Sequence, residues 1–232
     1  LVTAPTPEGP WSEPVFLNAT GFDPSLFHDT DGRKWLINME WDYRKEDPKN
    51  FSGILLQEYD PQQKKLVGPI HKIFTGSSIG KTEGPHLYKR NGWYYLVTAE
   101  GGTEYEHVVT VARSRSILGP YEIHPSNPLV TSSGRKNLYL QKAGHGSWCD
   151  TPDGRTYLAF LVGRPLPGTN RCILGRETAL AEVVWKDNWP WLKEGGNSAP
   201  DSFDALEKKK PIPQTVTYMF SDNHFLLDFK TL

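Results

Sequence analysis

The chain has 232 residues, and its 26 Lys and Arg stand against 27 Asp and Glu, a formal net charge of −1. That balance argues against a charge-driven nucleic-acid binder, and the lack of any apolar run of roughly 18 residues excludes a membrane-spanning helix. The 8 Trp, 10 Tyr and 10 Phe argue against disorder, while two Cys, Cys149 and Cys172, are too few for a disulfide scaffold or a structural zinc site and fit a reducing, cytoplasmic setting.

Taken in order, the chain starts at Leu1 with neither an initiator Met nor a signal peptide, so its first residue is not expected to be the biological start. Gly9-Pro10-Trp11 matches the close of a β-unit whose earlier strands are missing. From there the sequence repeats about every sixty residues. Asp23-Pro-Ser-Leu-Phe-His-Asp-Thr-Asp-Gly32, Glu83-Gly-Pro-His-Leu-Tyr-Lys-Arg-Asn-Gly92 and His145-Gly-Ser-Trp-Cys-Asp-Thr-Pro-Asp-Gly154 align without gaps. Asp31-Gly32, Asn91-Gly92 and Asp153-Gly154 read as two-residue type I′ hairpin turns. An apolar strand follows each turn, at 35–39, 93–97 and 157–162. A second follows at 53–59, 108–113 and 179–185, leading to Gly68-Pro69, Gly119-Pro120 and Trp189-Pro190.

An antiparallel module of three or four strands, repeated at this period, is a β-propeller blade. Blades stack face to face, so inner strands are apolar on both sides rather than alternating. The expectation is an all-β fold with three whole blades and the tail of another. A β-sandwich is the runner-up, but it does not predict three repeats. Further on, a linker is expected at 193–213, rich in Gly, Pro and Lys, and the opening of another β-domain at 214–232.

If the repeats are in register, the residues that open their innermost strands meet at the mouth of a central channel. Those residues are Asp23, Glu83 and His145. Each alone is better read as structural, a turn cap or a backbone-bonded His. Together they point to a site. Two carboxylates suit glycoside hydrolysis, in which one donates a proton to the leaving oxygen. Glu83, the longer side chain, fits the donor and Asp23 its companion. Phe22 and Trp41 offer ring faces to a sugar, with core filling the competing reading for Trp41. Arg176 could fork across vicinal hydroxyls, against a salt bridge with Glu177.

Other motifs carry less. Gly76-Ser-Ser-Ile-Gly80 matches G-x-S-x-G but lacks the helix that a nucleophile elbow needs. Asp29-Thr-Asp31-Gly32 suggests a calcium loop, yet its equivalents in the other repeats do not, so the aspartates read as turn formers. Asn18 and Asn50 head glycosylation sequons, which are common by chance.

Residues 21–29, 82–88, 99–103, 141–147 and 174–178 together resemble glycoside hydrolase family 43, and most of all its two-domain bacterial β-xylosidases. The resemblance implies a five-bladed propeller, with about three and a half blades in this chain (1–192), and a C-terminal β-sandwich. It implies hydrolysis with inversion, as an exo-β-1,4-xylosidase on xylo-oligosaccharides with α-L-arabinofuranosidase side activity. Glu83 matches the general acid and Asp23 the aspartate that raises and orients it. Phe22, Trp41 and Thr103 match the xylose subsite, His145 the hub histidine and Arg176 the arginine on the sugar hydroxyls. The family's general base is an aspartate on the first blade, which is expected outside this chain. No cofactor is required, although in some relatives the hub histidine helps hold calcium through water. A homo-oligomer is expected of the full-length protein, with no nucleic-acid or membrane partner. The alternatives are an arabinan-degrading enzyme on the same fold and a non-catalytic sugar- or protein-binding propeller.

Overall fold

Each repeat folds as one antiparallel sheet in the computed structural model, which describes residues 1–202. The first sheet orders β1 (Gly21–His28), β2 (Lys34–Trp41), β3 (Phe51–Asp60) and β4 (Lys65–Phe74). The second orders β5 (Glu83–Arg90), β6 (Trp93–Glu100), β7 (Val108–Ser114) and β8 (Glu122–Ile123), with β9 (Val130–Thr131) also paired to β7. The third orders β10 (Gln141–Asp150), β11 (Thr156–Gly163), β12 (Glu177–Lys186) and β13 (Trp189–Leu192). No helix forms among the described residues. These are three blades of a β-propeller.

The blades pack face to face, β1 on β5 and β10 on β5 and β6. The apolar runs are buried on both sides as the stacking requires: Leu36, Ile37 and Met39 on β2, and Tyr95, Leu96 and Val97 on β6, are all 5% exposed or less. One core joins the first two blades through Ile37, Met39, Leu87 and Leu96, and another joins the second and third through Tyr95, Val109, Trp148 and Phe160. Polar bonds stitch the same seams. Ser25 Oγ donates to the Pro85 carbonyl at 2.7 Å, and Trp148 N–H to Tyr88 Oη at 3.0 Å. Buried Asp29 takes Lys89 and the Tyr94 hydroxyl from the next blade.

The turns differ from the sequence expectation. Only Asn91-Gly92 is a two-residue type I′ turn, with φ of 50° and 73° and Arg90 paired to Trp93. In the first blade the Gly32 N–H donates to the Asp29 carbonyl and the Asp29 N–H to the Arg33 carbonyl, which makes a three-residue loop of 30–32 with only Gly32 left-handed. Thr151, Gly154 and Arg155 repeat this pattern in the third blade. A side-chain oxygen that accepts from the backbone holds each of the longer loops: Asp31 Oδ1 takes Arg33 N–H at 2.9 Å, and Thr151 Oγ1 takes Arg155 N–H at 3.1 Å.

That change of turn shifts the register of the second blade by one residue. Every inner strand carries a β-bulge near the axis. Phe22 pairs Met39 while Ser25 pairs Ile37, Glu83 pairs Ala99 while His86 pairs Val97, and Gly144 pairs Leu161 while Gly146 pairs Phe160. The left-handed residues at the bulges are Asp23 (φ 53°), Gly84 (φ 58°) and His145 (φ 52°). Glu83 is therefore equivalent to Phe22 and Gly144, not to Asp23 and His145 as the gapless alignment held. Nor do all three candidates open their strands: Glu83 opens β5, but Asp23 is third in β1 and His145 fifth in β10. The shorter turn in the middle blade consumes one residue fewer, and the hub end absorbs the difference.

The ends also depart from expectation. Residues around Gly9-Pro10-Trp11 form no strand; the segment closes on itself through Ser12 N–H to the Thr3 carbonyl and Val15 N–H to the Leu1 carbonyl, both at 2.8 Å. The first part of the expected linker is docked rather than free. Thr131 N–H donates to the Asn197 carbonyl, Arg135 to Ser198 Oγ, and Ala199 is buried in the second core. The remainder of 193–213, and the β-domain expected at 214–232, lie outside the described residues.

Candidate active site

The bulge in the middle blade frees a backbone donor. An extra residue in a ladder leaves its N–H unpaired, and here the Gly84 N–H donates to Asp23 Oδ2 of the neighbouring blade at 3.0 Å. Asp23 is thus held against the residue that follows Glu83. Gly84 is needed for two reasons. Its φ is left-handed, and a Cβ there would stand 2.7 Å from His145 Nε2. Asp23, Glu83 and His145 come from three blades to one neighbourhood.

Glu83 is 7% exposed. Burial first, and the Asp23 charge second, push its carboxyl up to about 7, against smaller opposing pulls from Arg176 and Lys81. Arg176, exposed just before β12, is thus near enough for its charge to reach Glu83. The competing ion pair with Glu177 does not form: Glu177 is taken by Arg164. Arg176 makes no ion pair or hydrogen bond among the described residues and is free to meet a ligand.

Phe22, directly before Asp23, is 38% exposed, with its ring centroid 5.7 Å from that of Trp41. Trp41 is half-buried at the end of β2. Sequence reading missed two members of this aromatic wall. Phe51 lies 5.1 Å from Trp41 and 6.3 Å from Phe22, and Tyr43, 81% exposed, lies 6.5 Å from Trp41. Thr103 lies on the exposed turn after β6, without a hydrogen bond to Asp23, Glu83 or His145. Its neighbour Gly102 backs onto Lys81, which acts on Glu83.

Two further histidines border the hub and went unread. His86 is held below its usual range by burial and by His145. His107 is buried, and burial brings it to about 4; its Nδ1 donates to the Lys142 carbonyl at 3.1 Å. The signal for His86 was its place three residues after Glu83. Nothing in the sequence pointed to His107.

The weaker motifs resolve. In the G-x-S-x-G match the serine position is Ser78, on a turn with no helix after it, and its neighbour Ser77 donates to Glu100. Asp29 spends its carboxylate on Lys89, Tyr94 and Thr30. Asn50 is buried, with its side chain accepting from Phe51 N–H, and Asn18 donates to Asn38. Calcium takes six to eight oxygen ligands. The hub side chains offer imidazole nitrogens and an Asp23 oxygen already engaged, and no three metal-ligating side chains are grouped among the described residues.

A carboxyl kept protonated near neutrality, a second carboxylate pinned beside it by a backbone amide, and ring faces alongside on a propeller hub define a carbohydrate-active propeller. Comparison with known proteins narrows the class: the model for glycosyl hydrolases family 43 matches residues 1–190, and the chain belongs to that family. It is 60% identical over 196 residues to xylosidase/arabinosidase 43B of Humicola insolens, covering 84% of this chain and 36% of that protein. It is 47% identical over 247 residues to a β-xylosidase of Bacillus subtilis (strain 168), covering 100% of this chain and 45% of that protein. The crystal structure of xylan β-1,4-xylosidase from Bacillus halodurans C-125 superposes with a TM-score of 0.82 at 57% identity, over 90% of this chain and 41% of that one. The chain thus spans less than half the length of these relatives.

Proposed function

We propose that this chain carries the acid side of an inverting glycoside hydrolase site that releases xylose from short β-1,4-xylo-oligosaccharides. The observation that carries the reading is the Glu83 carboxyl, raised to about 7 beside an Asp23 that is bonded to the next backbone amide. Protonated Glu83 donates to the glycosidic oxygen as the bond breaks. Asp23 keeps the proton on Glu83 through its charge and fixes the acid's backbone through Gly84. Phe22, Trp41 and Phe51 receive the sugar's C–H face. Arg176 holds its hydroxyls. Asp23 is the only carboxylate among the described residues that acts on Glu83, and it is engaged as a positioning group, so activation of water is assigned to a base outside them.

The names of the relatives support the substrate class: xylosidase for the proteins above, and α-L-arabinofuranosidase for a Bacteroides ovatus relative that is 37% identical. An arabinofuranosidase activity is the second reading, on the strength of those two names.

Proton NMR of xylobiose cleavage by the intact gene product tests the proposal. The xylose from the non-reducing end is expected as the α-anomer, seen as an initial α excess over the anomeric mixture that the reducing-end xylose brings. An initial β excess over that mixture would reject inversion, faster turnover of arabino-oligosaccharides would favour the second reading, and no hydrolysis would mark a binding propeller. Arg176→Ala is expected to raise KM for xylobiose by about ten- to a hundredfold. It should also move the alkaline limb of the pH profile upward, because the Arg176 charge favours ionised Glu83. A wild-type KM would remove Arg176 from the sugar site.

A further inference from the structure

Glu100, the last residue of β6, is fully buried. No Lys, Arg or His pairs with it among the described residues. Its charge is met instead by three donors from one short segment: Ser77 N–H at 2.7 Å, Thr82 Oγ1 at 2.7 Å, and Ser77 Oγ. Ser77 Oγ in turn accepts from Ile79 N–H, and Gly101 N–H donates to the Gly80 carbonyl at 2.9 Å. The packing leaves no slack: a Cβ on Gly76 would lie 2.1 Å from Thr82 Oγ1 and 3.2 Å from Glu100 Oε1. Thr82, itself 2% exposed, immediately precedes Glu83. Glu83 lies opposite Ala99, the residue before Glu100.

We propose that Glu100 is a positioning residue for Glu83, fixing the strap of residues 76–82 and with it the backbone that sets the acid in its buried place. A buried carboxylate is costly unless its lone pairs are filled. An apolar residue would serve packing at this point, whereas a carboxylate gathers several donors at one spot and so dictates the path of the chain that supplies them. The strap is attached to Glu83 at one end and to β4 at the other, and Lys81, whose charge reaches Glu83, rides on it. A looser strap would admit water to Glu83, and burial is the main reason that carboxyl is raised.

The inference rests on Glu83 being the acid, and its test separates the two. Glu100→Gln keeps the side chain's shape but puts an amide donor where an acceptor stood. In the intact gene product it is expected to lower kcat on xylobiose about tenfold, with KM within about twofold of the parent. The alkaline limb of the profile should move to lower pH. Carboxyl-13C NMR should show Glu83 titrating closer to an ordinary glutamate, a readout independent of turnover. A folded Glu100→Gln with the parent's Glu83 titration and kcat would overturn the proposal. So would equal losses in kcat and KM accompanied by a proportionate drop in Tm, the mark of a merely structural residue. If Glu100→Gln does not fold, Thr82→Val, which deletes one donor, carries the test. A downward move of the Glu83 titration supports the proposal and a wild-type titration defeats it. Failure of the acid reading shows elsewhere, as undiminished xylobiose cleavage in Glu83→Gln.

Discussion

Glu83→Gln is expected to slow xylobiose cleavage about 10³-fold, to spare substrates with activated aryl leaving groups, and at the same time to make the protein more stable above neutral pH. The first two effects follow from the acid role. A sugar leaving group needs its oxygen protonated as it departs, while an activated phenolate does not. Equal losses on both substrates would argue against that role. The third effect follows from linkage. The Glu83 carboxyl titrates near 4.5 when exposed and about 7 in the fold. Below pH 4.5 it is protonated folded and unfolded, and parent and variant should match. As the pH rises towards 7 the unfolded chain ionises first, so the parent loses stability, and above 7 the deficit is constant. Two to three pH units of displacement amount to about 3 kcal/mol. Gln, with no proton to lose, escapes this. Urea unfolding at pH 4 and pH 8 checks it: the variant's advantage should appear only at pH 8. A pH-independent difference would mean that Glu83 is not buried as an acid.

Lys89→Met is expected to destabilise the protein by about 3 kcal/mol at pH 7, the largest loss predicted for a side chain away from the site. Asp29 sits in the β1–β2 turn with its side chain 1% exposed, while Lys89 is only a quarter exposed and comes from the adjacent blade. Burial alone would raise the Asp29 carboxyl. The Lys89 and Tyr94 hydrogen bonds and the Thr30 amide outweigh it and hold the group below its usual range. The Tyr94 ring also faces the ammonium, 4.6 Å from its centroid. Removing the cation leaves an anion in the seam with only neutral donors, the Tyr94 hydroxyl and the Thr30 amide and hydroxyl. The parent draws stability from this pair above the ordinary aspartate range and loses it as acid protonates Asp29. The variant's anion is the more easily neutralised, so the gap between the two should narrow from pH 7 to pH 3. Denaturant midpoints across that range measure it, and a constant gap would place the effect in packing.

Much of the fold was legible because a blade is local. Apolar runs such as Trp93–Val97 announce strands buried on both sides, and glycines nine residues past each repeat start announce the hairpins. The one-residue slip of the middle blade was not legible. Asp-Gly and Asn-Gly look alike as turn signals, and only the hydrogen bonds of Asp29 and Thr151 distinguish a three-residue loop from a two-residue one. The alignment still brought Asp23, Glu83 and His145 to one axis, since the bulge absorbs the slip. Phe51 escaped because it reaches Trp41 from beyond a loop, and Tyr43 because it sits within that loop, both outside any repeated position. Glu100 and His107 escaped because their interest lies in what surrounds them. A glutamate at a strand end reads as solvated until tertiary packing shows it fully enclosed.

A ring of identical modules tends toward symmetry, and symmetry is a poor basis for acid–base chemistry. Copies in phase would offer one kind of side chain from equivalent settings, with equivalent proton affinities. The slip of the middle blade breaks that equivalence. Glu83 meets the axis one step earlier along the kink than Asp23 does, which leaves the amide after it as the partner of its neighbour's carboxylate. Glu83, enclosed and beside the Asp23 charge, thereby holds its proton more tightly than an ordinary glutamate. A phase error of a single residue, with no new fold, turns a duplicated scaffold into a polarised one.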